Sequence, residues 1–155
     1  VSDAAGHVGR RDILEFLLEQ GAPLSMPSAV LLGDTRRVAT LLDAQPERVH
    51  ERGPHDFALL WYAVISGGDV EMATLLLDRG AKVEAQHFLG TTALHFAAVG
   101  GQLDLATVLL DRGADVNRRG YKFDPAGETP LAVARAHGRT KMVALLRERG
   151  GRDPS

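Results

Sequence analysis

Apolar residues recur along this chain in adjacent pairs and at four-residue intervals, as Leu105, Ala106, Leu109 and Leu110 show. That spacing gives a helix one apolar face. It predicts short amphipathic helices over roughly 10–20, 35–44, 69–79, 102–112 and 139–149. Gly21, Gly80, Gly113 and Gly150 follow four of them, at the place where a left-handed residue ends a helix and a Cβ would clash. Thr129-Pro130-Leu131 supplies the opposite signal, a hydroxyl to cap a helix and a proline whose fixed φ suits the first turn.

These helices belong to a repeat. LLLDRGAKVEA at 75–85 and VLLDRGADVNR at 108–118 lie 33 residues apart, and FLLEQGAPLS at 16–25 and ALLRERGG at 144–151 echo them. Upstream of each lies a small-residue segment ending in Gly9, Gly33, Gly68, Gly101 or Gly138, at spacings of 24, 35, 33 and 37 residues. The register gives five units of two short helices, approximately 1–26, 27–53, 54–86, 87–119 and 120–150. A lone pair of this size cannot bury its apolar face, whereas stacked pairs share one core. The reading is therefore one all-α domain over 1–150, with 151–155 as a frayed tail.

Alanines at 97, 98 and 134 are placed to let first helices approach closely. Leu17, Leu18, Leu41, Leu42, Leu76, Leu77, Leu109 and Leu110 are placed to fill the space behind them. The position held by Leu18, Leu42, Leu77 and Leu110 becomes Arg147 in the last unit, as befits a terminal repeat whose outer face meets water.

Thr92-Ala93-Leu94-His95-Phe96-Ala97-Ala98, followed by Gly113-Ala114-Asp115-Val116-Asn117, resembles the signature of the ankyrin repeat, a TPLHxAA phrase within a period of about 33 residues. The resemblance covers nearly the whole chain and implies a solenoid of stacked helix-turn-helix units with projecting hairpin loops. Departures are specific. Ala58-Leu59-Leu60-Trp61 replaces the phrase in the third unit, Ala132 takes the histidine position in the fifth, and the second unit ends in Ala44-Gln45-Pro46-Glu47. The first unit lacks the phrase, and the chain opens on Val1 rather than Met, which leaves room for a leader or further repeats upstream.

Composition narrows the function classes. With 155 residues, 45% of them apolar, the chain suits one globular unit, and its net charge of −2 supplies no general field for nucleic acid or anionic lipid. It has no cysteine, hence no disulfide, thiolate metal site or cysteine nucleophile. The longest apolar run, Phe57 to Ile65, is nine residues, far below the roughly 18 needed to cross a bilayer. No signal-peptide pattern opens the chain, and a cytoplasmic location is expected.

No catalytic motif is present: no GxSxG, no GxxxxGK[ST], no GxGxxG and no HExxH. The six histidines show no spacing that would assemble a metal site. His95 is the tempting one, and the resemblance implies a structural role, its ring bonded to backbone or to the neighbouring repeat. Asp78-Arg79 and Asp111-Arg112 recur at equivalent helix ends and read as solvated charges. No enzyme activity, cofactor or metal is expected.

Charge is uneven, with residues 1–110 at net −6 and 111–155 at net +4. Arg118, Arg119, Lys122, Arg135, Arg139 and Lys141 suit an acidic protein patch, or phosphates less well, or simply a charged terminal cap. Nucleic-acid binding is not expected, since aromatic stacking residues are not interleaved with these charges.

The resemblance implies that a partner protein meets the hairpin tips and the exposed positions of the first helices. By register the tips hold Phe57 in the third unit and His87, Phe88 and Leu89 in the fourth, and the first-helix positions are Ile65, Val99 and His137. The fifth loop is four residues longer and brings Tyr121 and Phe123. Four of the chain's eight aromatics fall in these loops, and exposed apolar clusters mark interaction sites. The alternative is that the rings fold back onto neighbouring repeats. Trp61 and Tyr62 are assigned to packed first-helix positions. The expected function is a non-catalytic protein–protein interaction module, monomeric, with no membrane contact. The second possibility is a regulatory or targeting fragment of a larger enzyme or channel.

Overall fold

A computed structural model describes residues 11–21, 23–87, 90–120 and 128–152. The described residues form nine α-helices: α1 (Arg11–Glu19), α2 (Met26–Leu32), α3 (Thr35–Ala44), α4 (Leu59–Ile65), α5 (Val70–Asp78), α6 (Ala93–Gly100), α7 (Leu103–Asp111), α8 (Pro130–Ala136) and α9 (Thr140–Glu148). Among them there is no β-strand, only isolated bridges between Arg52 and Ala58 and between Gly120 and Glu128. The second helices α1, α3, α5, α7 and α9 begin and end within one residue of the positions the apolar spacing predicts.

Local chemistry explains the ends. Asp34 and Asp69 cap α3 and α5 by accepting from the backbone N–H groups of Arg37 and Met72 at 3.1 and 2.9 Å. Thr129 caps α8 through the N–H of Ala132 at 3.2 Å, with Pro130 in the first turn. Each such cap satisfies a donor that the helix itself cannot. The four expected stop glycines, Gly21, Gly80, Gly113 and Gly150, all have φ between 85° and 93°.

The chain falls into two compact units, residues 1–82 and 83–155. Within the first, α2 packs on α4 and α3 on α5; within the second, α6 packs on α8 and α7 on α9. First helices thus stack on first helices and second on second. Ala97, Ala98 and Ala134 are fully buried, which is what lets the first-helix backbones of the second unit approach. Leu42 in the first unit and Leu109 and Leu146 in the second are buried behind them, each stabilising its unit by roughly 1.5 to 3 kcal/mol.

The structure corrects the leucine register. Leu77 and Leu110 are only half-buried, while their neighbours Leu76 and Leu109 are buried. The exposed Arg147 therefore occupies a site that is partly open at Leu77 and Leu110, although Leu42 is buried at it in the second repeat. In α3 the buried stripe is Val38 and Leu42, against Met72, Ala73 and Leu76 in α5. Reckoned from the capping aspartate, α3 buries its fourth and eighth residues, where α5 buries its third, fourth and seventh. The helix then ends without glycine, and Pro46 opens a 3₁₀ turn to His50 that buries Val49.

Two contacts tie the helix ends together. Arg79 reaches back to Asp43 at 2.9 Å and to the carbonyl of Ala39 at 3.3 Å, and Arg149 reaches Asp111 at 2.7 Å. These residues remain largely solvated, so each pair contributes no more than about 1 kcal/mol. The tail is firmer than its composition implies, because the Asn117 amide donates to Gly150 O at 3.1 Å and accepts from Arg152 N–H at 2.8 Å. Gly151 N–H also bonds Leu146 O at 2.7 Å. Residues 153–155 lie outside the described ones.

Candidate functional site

The hairpin of the first unit is built on a short bridge. Arg52 pairs with Ala58, Gly53 N–H bonds Phe57 O at 2.9 Å, and Pro54–Asp56 forms a 3₁₀ turn at the tip. Asp56 has φ 64°, a left-handed conformation that aspartate tolerates better than most residues. The Arg52 guanidinium bonds its carbonyl and, at 3.0 Å, its carboxylate. A Cβ on Gly53 would run into the Tyr62 hydroxyl and the Pro27 ring, so glycine is required where the hairpin base crosses the helices.

Phe57 departs from the expected exposed tip. It is 9% exposed and stacks on Trp61 with ring centroids 5.6 Å apart and planes 7° from parallel. Its edge meets Tyr62 at 6.1 Å. The ring lies one residue before Ala58, the cap of α4, and folds back onto Trp61 and Tyr62 of that helix. Trp61 and Tyr62 are buried, as their assignment to packed first-helix positions requires.

In the second unit, His87 N–H bonds Thr91 O at 3.0 Å and Gly90 N–H bonds His87 O at 2.8 Å, which closes a tight turn. His87 is also buried, a second correction to the exposed tip. Phe88, Leu89, Tyr121 and Phe123 lie outside the described residues. The remaining candidates sit at the ends of first helices. Ile65 and Val99 are half-buried, and His137 is exposed, with its Nδ1 3.0 Å from Val133 O.

His95 holds the base of the long loop. Its Nδ1 accepts from Thr92 N–H at 3.1 Å and lies 2.9 Å from Thr92 Oγ1. The proton is thereby left on Nε2, which donates to Glu128 O at 3.0 Å. Gly120 and Glu128 exchange backbone bonds of 3.0 and 2.9 Å across the same base. Burial pushes the His95 pKa below its ordinary 6.5, and the nearby Arg118 charge adds to this, against the opposing pull of its backbone hydrogen bonds. A neutral ring is what the bonding pattern needs.

Beside it lies a small cavity of about 20 Å³, lined by Thr91, His95, Phe96, Val99, Gly120, Glu128 and Val133. The Thr91 hydroxyl is buried there without a partner among the described residues. An unmade buried hydrogen bond costs about 1 kcal/mol or more. Thr91→Val, nearly isosteric, is therefore expected to stabilise the second unit by about 1 kcal/mol, read as a higher urea midpoint. An unchanged or lower midpoint would mean that the hydroxyl is satisfied.

Sequence reading missed the Asp43–Arg79 and Asp111–Arg149 pairs and the Asn117 clamp. A signal existed in the recurrence of an acid and an arginine 36 and 38 residues apart, slightly more than one repeat. Among the described residues, no group of three or more histidine or carboxylate side chains is placed to hold a metal ion. No described helix is long and apolar enough to cross a membrane.

The family model for ankyrin repeats, which spans three copies, matches residues 4–120 and again 60–155. The chain belongs to the ankyrin repeat family. Comparison with curated protein sequences finds no match. The stacking of first on first and second on second helices within each unit is thus ankyrin stacking, and the Thr92–His95 pair is the repeat's signature phrase in place. Ankyrin repeats are in general protein–protein interaction modules.

Proposed function

We propose that this ankyrin-repeat chain is a non-catalytic module that captures a partner protein on its hairpin tips and its concave first-helix face. The observation that supports this reading most is where the first helices open to solvent. α4, α6 and α8 are buried along most of their length, and exposure rises at one repeated register, Ile65–Ser66, Val99–Gly100 and Ala136–His137. A buried helix with a periodically open end offers side chains that packing does not use. Phe88, Leu89, Tyr121 and Phe123 remain the tip residues of the proposal, while the buried Phe57 and His87 leave it.

Site-specific photo-crosslinking in source cells tests this. A crosslinker at Val99 or His137 is expected to capture the same protein, and one at Arg36, an exposed second-helix position, is expected to capture none. Capture from Arg36 alone would overturn the assignment of the face.

A further inference from the structure

The last helix pair differs in charge from every other. Its two helices hold one acid, Glu148 at the very end, against Arg135, Arg139 at the cap, Lys141 and Arg147, with His137 between them, and all of these are exposed. Earlier second helices carry an acid at or near their start, Asp34, Asp69 and Asp104. The helix-capping position of Asp34 and Asp69 is Arg139 here.

Arg139 does a different job. Its stem lies against Gly101, where a Cβ would come within 3.1 Å of it, and its Nε donates to Val99 O at 2.8 Å. That contact holds the arginine at the edge of an open groove of about 380 Å³. Gly100, Gly101, Leu103, Thr140 and Met142 line it together with Arg139 and Lys141; Leu103 is half-buried, while Met142 is packed into the core. Lys141 makes no ion pair with any described residue.

We infer that this groove, which adjoins the open first-helix end at Val99–Gly100 and so rests on and extends the surface proposed above, is a docking site whose occupant is an acidic protein segment carrying an apolar side chain between carboxylates. The two exposed cations and the half-buried Leu103 beside them together select that chemistry. Carboxylates meet Arg139 and Lys141, and the apolar side chain covers the half-buried Leu103. A nucleic acid fits less well, because no aromatic ring lines the groove to stack a base. A lipid surface also fits poorly: among the described residues the exposed large apolar side chains are Ile13 and Phe16, both in the other unit.

The test is fluorescence anisotropy on the full chain with a labelled peptide of glutamates around a central leucine. Three controls accompany it: the same peptide with serine for leucine, its lysine counterpart, and a single-stranded DNA of equal charge. Binding is expected to weaken with added salt, as surface charge pairs do, and to weaken about tenfold in Lys141→Glu. Lys141 is exposed and outside the core, so this variant keeps its circular dichroism and melting temperature. Amide shifts at Gly100 and Gly101 are expected to move on titration with the peptide. Unchanged affinity in Lys141→Glu, equal binding of the serine peptide, or tighter binding of the DNA would each overturn the inference. These readouts turn on Lys141 and on the peptide's sequence, whereas the crosslinking above turns on Val99 and His137, so failure of one reading is told apart from failure of the other.

Discussion

Replacing His95 with alanine is expected to destabilise the second unit by about 3 kcal/mol, read as a lowered urea midpoint with an unchanged slope. The substitution removes three contacts at once. Thr92 N–H loses its acceptor at the start of α6, Thr92 Oγ1 loses its ring partner, and Glu128 O keeps only the Gly120 bond. Each buried group left unpaired costs about 1 to 3 kcal/mol, and the space vacated beside the existing cavity adds to that. His95→Asn separates the contributions. Its amide oxygen can stand in for Nδ1 and keep the cap, but the shorter side chain cannot reach Glu128, so a smaller loss is expected. A change of a few tenths of a kcal/mol in His95→Ala would show that the ring merely fills space.

Acid should act on the same residue. Because the folded pKa lies below 6.5, the unfolded chain binds more protons in the window between the two values, so stability is full above pH 6.5 and falls as pH drops through the folded pKa. Protonation puts a hydrogen on Nδ1, facing the Thr92 N–H that now donates to it. The wild-type urea midpoint is therefore expected to decline below pH 6.5 more steeply than that of His95→Asn, which has no such proton to bind.

What the sequence made legible was periodic. The second helices, the stop glycines and the Thr129 cap follow from chemistry local to a few residues, and the 33-residue repeat carries it from unit to unit. Both leucines of each adjacent pair are expected in the core, but of those among the described residues only Leu42, Leu76 and Leu109 are buried there, because a strictly local pattern cannot say which of two neighbours faces the core. The anchoring of Gly151 and Arg152 was not legible for a different reason. Gly151 and Arg152 are held by Asn117, more than thirty residues earlier, and composition near the terminus carries no trace of that bond. The hairpin tips divide in the same way. Their turns were visible, but whether Phe57 faces solvent depends on how far a three-residue tip projects beyond Trp61.

That dependence makes Phe57→Asp the sharpest test of the site assignment. An anchor waiting for a partner can be replaced by aspartate with little effect on folding, since surface substitutions usually stay within about 0.5 kcal/mol. A ring that is 9% exposed and stacked on Trp61 cannot. Truncating a buried phenylalanine costs about 3 to 5 kcal/mol, and a carboxylate in its place must also be desolvated beside two aromatic faces or pull the hairpin open. The first unit is expected to lose about 4 kcal/mol or to unfold. Trp61 is the chain's single tryptophan, so its emission reports this unit directly and is expected to shift to longer wavelength as water reaches the indole. Phe57→Leu keeps an apolar cover and is expected to lose about 1 kcal/mol with little spectral change. If Phe57→Asp instead left both midpoint and emission unchanged, the ring would be exposed in solution, and Phe57 would return to the hairpin residues that meet a partner.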